Sequence, residues 1–233
     1  MSVSEYIKQY TALTDGELER FDKFAELLVE TNKKFNLTAL TDDRDMALLH
    51  FYDSLTVRRA LTLTDGAEVI DIGCGAGFPS MPLAITTPNC KFTMMDSTAK
   101  KLTFISESAR TLGLTNVTTL TGRAEEFSVK PEHREKYDVG LARGVARLNI
   151  LSELVLPFVK VGGVFVAMKG SRATEELDEA KKGIATLGGE VEKVIPVEIP
   201  ETDRVHNLIV IRKVAPTPTQ YPRQYAKISK KPL

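Results

Sequence analysis

The chain carries no surplus of charge of either sign, with 31 Lys and Arg against 31 Asp and Glu over 233 residues. Phosphate contacts come mostly from Lys and Arg, so any role on nucleic acid has to rest on a local basic patch. Cysteine is nearly absent. Cys74 and Cys90 alone cannot form a framework of bridges, and they read as reduced thiols of a cytoplasmic protein. No apolar run approaches the roughly 20 residues that cross a bilayer. The opening MSVSEYIKQY lacks the basic start and apolar stretch of a secretory signal, so no membrane partner is expected. A Walker phosphate loop is missing, because no G-x-x-x-x-G-K-S/T occurs. Internal repeats and low-complexity segments are missing as well. What remains, 42% hydrophobic and 27% charged, suits a soluble globular enzyme rather than a disordered chain.

Three regions follow from the texture. Residues 1–63 read as a helical extension. In ELERFDKFAELLVETNKK, Leu18, Phe21, Phe24 or Ala25, and Leu28 recur every three or four residues and give one apolar face. A second helix is predicted from Asp43 to Ala60, with Leu48, Tyr52 and Leu55 inward. From residue 64 to 214, short β-branched runs alternate with helical patterns. Strands are predicted at Glu68 to Ile72, Lys91 to Met95, Val117 to Thr121, Tyr137 to Ala142, Gly163 to Lys169, Val191 to Val197 and His206 to Lys213. Such alternation indicates βαβ units and a mostly parallel sheet. The short connection before the last strand has no room for a crossover helix, so the last two strands should pair antiparallel. This α/β layout, seven strands closing in a hairpin, resembles the Rossmann-like class I methyltransferase fold. Residues 215–233 form a basic tail, read either as a solvated end or as a phosphate-contacting arm. Its prolines, Pro216, Pro218 and Pro222, argue against another regular element there.

The segment VIDIGCGAGFP is the most informative. It follows a buried strand and sets Asp71, Gly73, Gly75 and Gly77 before a helix opening near Phe78. Glycines permit a tight turn and close approach of a ligand to the backbone. The dinucleotide pattern is G-x-G-x-x-G, whereas the spacing here is G-x-G-x-G with an acid two residues upstream. That arrangement suits S-adenosylmethionine, which has no phosphate, and Asp71 is placed to help hold its ammonium. A carboxylate ending the second strand can accept both ribose hydroxyls, and Asp96 stands there. Ala124 and Glu125, after the third strand, fall where the methyltransferase fold brackets the adenine.

Several segments together, KKFNLTALTD, HFYDSL, VIDIGCGAGFPSMPLAI, AKKLTFI, LARGVARL and AMKG, resemble the glucose-inhibited division protein B family. Its members are guanine-N7 methyltransferases of bacterial small-subunit ribosomal RNA. Two departures stand out: Ser80 replaces a glycine, and LARGVA stands where SRAVA is usual, with Arg143 retained. The resemblance implies cofactor contacts at Gly73, Phe78, Ala124, Glu125 and Arg143, with Asp96, Ser97 and Thr98 near the ribose. It also implies that ribosomal RNA or the small subunit is the partner. A monomer without metal is expected. The rival readings are a methyltransferase for another RNA, a small molecule or a protein, and a non-catalytic ribosome assembly factor.

The residues limit the chemistry independently. Ala142, Arg143 and Gly144 occupy the place of the N/D-P-P-Y/F motif of amino-group methylation. Neither cysteine is placed for attack on a pyrimidine. Lys169 fits one position of a Lys-Asp-Lys-Glu set, but Arg143 takes the place of its Asp. Guanine N7 needs no such apparatus, because its lone pair is exposed and carries no proton. Alignment and exclusion of water then suffice, and no general base is named. Arg143 is read as a positioning residue, and Arg123, Arg147 and Lys169 as phosphate or base contacts. The tail, Arg143, Arg147 and the Lys33-Lys34 pair would form the basic surface that meets RNA. His50 and Asp53 either border the base pocket or form a helix-face pair at i and i+3. Asn36 is either a turn residue or a guanine contact.

Overall fold

A computed structural model describes residues 1–233. The N-terminal region is helical: α1 Val3–Ile7, α2 Asp15–Asn32, α3 Asp43–Met46, a π-helical turn Ala47–Tyr52, α4 Asp53–Leu55 and a 3₁₀ turn Thr56–Arg59. Thr14 and Glu17 form a capping box that starts α2. Asp42 caps α3 by accepting from the backbone N–H groups of Arg44 and Asp45. The expected apolar face of α2 is real at Phe21, Phe24, Ala25 and Leu28, all buried, whereas Leu18 is only half-buried.

The α/β part alternates as expected. It runs β1 Glu68–Ile72, α5 Ser80–Thr86, β2 Lys91–Asp96, α6 Ala99–Thr111, β3 Val117–Thr121, α7 Ala124–Phe127 and β4 Tyr137–Arg143. There follow α8 Leu148–Val155, β5 Val159–Lys169, α9 Ala173–Thr186, β6 Gly189–Glu198 and β7 Val205–Lys213. The sheet order is β3-β2-β1-β4-β5-β7-β6. β7 runs antiparallel to both β5 and β6, and the other pairs are parallel. The fold class is therefore as the pattern predicts. β5 begins four residues earlier than Gly163, because Val159 pairs with Tyr137 ahead of a register shift in β4.

Helices cover both faces, so central strands are apolar on both sides. One core joins the N-terminal helices, α5 and α6 to Val69, Leu141, Val166 and Val210. The other joins α8, α9 and the C-terminus to Ile70, Ala142, Phe165 and Ile209. The chain order reverses between β1 and β4, and the loops leaving these neighbours open a crevice at the strands' carboxyl ends. No helix is long and apolar enough to cross a membrane.

The tail departs from expectation. A tenth helix, α10, spans Tyr225–Lys230 between Pro222 and Pro232, and no proline lies inside it to interrupt its N–H ladder. It buries Ile228 in the second core. Arg223 grips the fully buried Glu153 of α8 with its backbone N–H at 2.8 Å and a guanidinium nitrogen at 2.6 Å. Upstream, Thr217 donates to Glu135 and to the Leu187 carbonyl. Arg134 donates to the carbonyls of Thr217 and Tyr221. Lys213 is wholly buried, and its three donors meet Glu135 and the carbonyls of Leu156 and Val159. The segment is a docked strap, neither a solvated end nor a free arm.

Deleting residues 222–233 should therefore leave the Glu153 carboxylate buried without its partner. Breaking a buried pair in this way costs about 3–5 kcal/mol, so the urea midpoint should fall sharply. An unchanged midpoint would show that the docking contributes nothing.

Candidate active site

Two pockets adjoin at the reversal point and share Gly73 and Arg143. The larger, about 350 Å³, is lined by Gly73, Asp96, Ser97, Thr98, Ala124, Glu125 and Arg143 among others. That set gathers most of the predicted cofactor residues. The volume lies in the range of small-ligand sites. The smaller, about 170 Å³, is lined by Leu37, Thr38, His50, Gly73, Cys74, Gly75, Ala76, Phe78 and Arg143.

The glycine loop leaves β1 with positive φ at Gly73, Gly75 and Gly77, but the three do different things. A Cβ on Gly73 would stand 2.5 Å from Val145 Cγ2, so this glycine admits the chain after β4. A Cβ on Gly75 would meet nothing closer than 4.0 Å, and its backbone angle alone demands glycine. Gly77 faces inward, where a Cβ would lie 2.6 Å from Met81 Cγ. It lines neither pocket and serves packing, so its proposed place among the cofactor residues has no contact to support it.

Asp96 organises the loop. Its Oδ2 accepts from the Gly75 N–H at 3.1 Å and its Oδ1 from the Thr98 N–H at 2.8 Å. Each oxygen keeps a second lone pair for a ligand hydroxyl. Asp71 is buried, and both its oxygens lack a hydrogen-bond partner. The Ser80 hydroxyl beside it lies outside bonding geometry. Burial pushes the Asp71 carboxyl up to about 7, only partly offset by Ser80 and Arg143. Like Gly77, Asp71 lines neither pocket; its unpaired carboxyl can act on a bound ammonium only from within the core beside the glycine loop.

Arg143 ends β4 and is the hub of the junction. One guanidinium nitrogen donates at 3.0 Å to both the Leu49 carbonyl and Asp53 Oδ2. The other donates to His50 Nδ1 at 3.1 Å, and the plane lies 5.3 Å from the Phe78 ring centre. His50 stacks on Phe78 at 4.5 Å. Burial and the Arg143 charge hold the His50 ring down at about 4, so it is neutral near pH 7. Asp53 also pairs with His206 of β7 at 2.8 Å. The His50 and Asp53 side chains meet only through Arg143, and the direct bond at i and i+3 is the Asp53 backbone N–H to the His50 carbonyl.

Other expected contacts fall elsewhere. Asn36 is exposed and lines neither pocket. The turn it was expected to hold is held by Asn32, whose Oδ1 accepts from the Leu37 and Thr38 N–H groups. Lys169 is buried against the Ala146 carbonyl and Glu176, which leaves it no reach to a ligand. Arg147 is held by Glu175 and Glu179. Of the arginines named for RNA, only Arg123 faces the larger pocket without a carboxylate partner. Its guanidinium lies 5.6 Å from the ring of Tyr225. Tyr225 lines the same pocket from α10 and escaped sequence reasoning. The only signal was its i, i+3 spacing to Ile228 in a tail that prolines made look irregular.

A family model described as rRNA small subunit methyltransferase G matches residues 17–205. The chain belongs to this family. A relative from Brevibacillus brevis named ribosomal RNA small subunit methyltransferase G is 47% identical, over 97% of this chain and 94% of its own. One from Alkaliphilus oremlandii with the same name is 42% identical, over 95% and 92%. Among solved structures, TrmN from Thermus thermophilus superposes with a TM-score of 0.55 at 20% identity. That match covers 69% of this chain and 48% of TrmN, and it shows the shared fold.

The raised Asp71 value fixes a sign. The folded state holds its proton more tightly than the unfolded chain, whose aspartates titrate at about 4. Stability from this residue is full below about 4 and is lost as pH climbs to about 7. Urea unfolding of ligand-free protein at pH 5 and pH 8 should show that loss in wild type and a flatter response in Asp71→Asn. Equal pH dependence in both would contradict the assignment.

Proposed function

We propose that this protein transfers a methyl group from S-adenosylmethionine to N7 of a guanine in small-subunit (16S) ribosomal RNA. The observation that carries the reading is the junction at Gly73 and Arg143, where two pockets meet and the smaller one is lined by no carboxylate and no unpaired basic nitrogen. His50 gives its basic lone pair to Arg143. Burial drives the Cys74 thiol well above its ordinary range, which removes it as a nucleophile. Lys169 is committed to Glu176. A hydroxyl or amino acceptor would need a base there, and N7 does not.

In this reading the larger pocket holds the cofactor, with help from Asp71 beside the pocket and Gly75 on the wall of the smaller one. Asp71 faces the ammonium, and Asp96 accepts the ribose hydroxyls beside Ser97 and Thr98. Ala124 and Glu125 border the adenine, while Gly73 and Gly75 let the ligand approach the backbone. Phe78 acts indirectly, as the ring on which His50 and Arg143 rest. Bound S-adenosylmethionine supplies an activated methyl on a sulfonium. The chain supplies alignment of the two reactants, which can be worth several kcal/mol. We assign residues 1–63 as a helical extension, 64–214 as the cofactor-binding domain and 215–233 as its strap.

Two measurements test this. Single-turnover methylation of small-subunit RNA at saturating cofactor should be flat between pH 6 and 8, with the methyl mapping to guanine N7. A rate climbing tenfold per pH unit would instead reveal an essential base. For the cofactor pocket, calorimetry with S-adenosylhomocysteine should show weaker binding by Asp96→Ala, by about 1.5–3 kcal/mol for charged hydrogen bonds. Tyr225→Ala should also bind more weakly, by about 1 kcal/mol for a lost aromatic contact. Wild-type affinity in both variants would remove the pocket assignment.

A further inference from the structure

The smaller pocket contains a hydroxyl whose proton has nowhere to go within the protein. An arginine side chain has donors only, so the contact at 3.1 Å makes His50 Nδ1 an acceptor from Arg143. The ring is neutral, and its one proton therefore sits on Nε2. That nitrogen lies 2.8 Å from Thr38 Oγ1 and donates to it. The backbone N–H of Leu40 donates to the same oxygen at 3.1 Å. Both acceptor lone pairs of Thr38 are thus used, and its own O–H meets no acceptor from the chain. The residue is also fixed in place. Asn32 takes the Thr38 N–H at 3.0 Å and gives an N–H to the Thr38 carbonyl at 2.9 Å. Thr38 is therefore a pinned donor on the wall of a pocket that opens, past Arg143 and Gly73, onto the larger pocket.

We propose that Thr38 Oγ–H donates to O6 of the target guanine and so selects guanine over adenine at this site. The inference rests on the guanine-N7 reading and deepens it. A base must leave its stack to reach a pocket of this kind. Guanine presents N7 and O6 side by side as acceptors, and adenine presents N7 beside an N6 amino donor. A donor placed on O6 orients the ring without occupying the N7 lone pair. Against adenine the same hydroxyl faces an N–H, and the unpaired polar groups oppose binding. Because Arg143 forces the direction of the His50 bond, the arginine sets the polarity of the Thr38 hydroxyl two bonds away.

The test combines Thr38→Val and Thr38→Ser with reconstituted small-subunit RNA carrying guanine or 2-aminopurine, which lacks O6, at the methylated position. On guanine, Thr38→Val should lower single-turnover kcat/KM about tenfold, near the upper end for one neutral hydrogen bond. Its S-adenosylhomocysteine affinity should stay within about twofold of wild type, and Thr38→Ser should restore the rate. On 2-aminopurine, wild type and Thr38→Val should react alike, because the bond is missing from both. Effects that multiply instead would show that Thr38 acts only through the fold, and an undiminished Thr38→Val rate on guanine would also overturn the inference. Wild type that transfers no methyl to N7 would overturn the underlying reading instead, so the two failures are distinguishable.

Discussion

The Arg143 guanidinium is the contact on which the rest of the site depends. It sits at the end of a central strand and bonds to Leu49, His50 and Asp53, residues 90 to 94 positions away in sequence. These partners lie on the π-helical turn Ala47–Tyr52 and the residue that follows it. Such turns widen the helix and frequently mark functional sites. Through Asp53 the same cluster reaches His206 on β7, so the N-terminal helices, the centre of the sheet and its antiparallel end converge on one carboxylate. A buried pair adds little net stability against desolvation, but losing one partner is costly. Its contribution is to fix geometry where the two pockets meet.

The C-terminal strap closes the cofactor side by a related device. Glu153, fully buried, and Glu135, half-buried, are acceptors on the body of the fold, and Arg223, Lys213 and Thr217 come to them. Of the four basic residues in the tail this takes Arg223, and Lys213 just ahead of it is taken as well. Arg212 is likewise taken, by Glu192. Lys227, Lys230 and Lys231 keep their charges free of such pairs. The local patch that a neutral chain needs for RNA is therefore smaller than the sequence suggests, and it includes Arg123 at the pocket edge.

What was legible in the sequence followed from short-range rules. Strands buried on both faces read as continuous apolar runs, and their predicted bounds agree with β1 to β7 to within a few residues. Asp71, Asp96 and the 124–125 turn were placed by their distance from strand ends. The illegible parts are those decided by tertiary neighbours. Gly73, Gly75 and Gly77 share one spacing, and only Val145 and Met81 tell their roles apart. Asn32 and Asn36 were equal candidates for a turn until the loop closed on the former. The charges of Lys169 and Arg147 looked available because Glu175, Glu176 and Glu179, on the following helix α9, gave no sign of turning back to meet them. The π turn has no signature in HFYDSL beyond an ordinary helical pattern.

The charge balance at the junction bears on how an arginine can serve a cationic methyl donor. A bare guanidinium beside a sulfonium would oppose binding, and in a site of low effective dielectric that repulsion is amplified. Asp53 stands 3.0 Å from Arg143 and is almost wholly buried, so the arginine enters the site already compensated. The carboxylates left over are Asp96 and Glu125, which line the larger pocket, and Asp71, buried at the end of β1 beside the glycine loop. Asp71 keeps its proton until about pH 7 when nothing faces it, and an arriving ammonium would favour its charged form. On the proposed reading the cofactor side thus answers a cation with anions, whereas the base side offers the neutral groups His50 and Thr38 beside an Arg143 already paired with Asp53. Methyl transfer to N7 moves positive charge from sulfur to base. A base pocket lined by neutral donors and aromatic faces need not hold a counter-ion in advance, and the methylated guanine, now cationic beside a compensated arginine, gains no ion pair that would retain it.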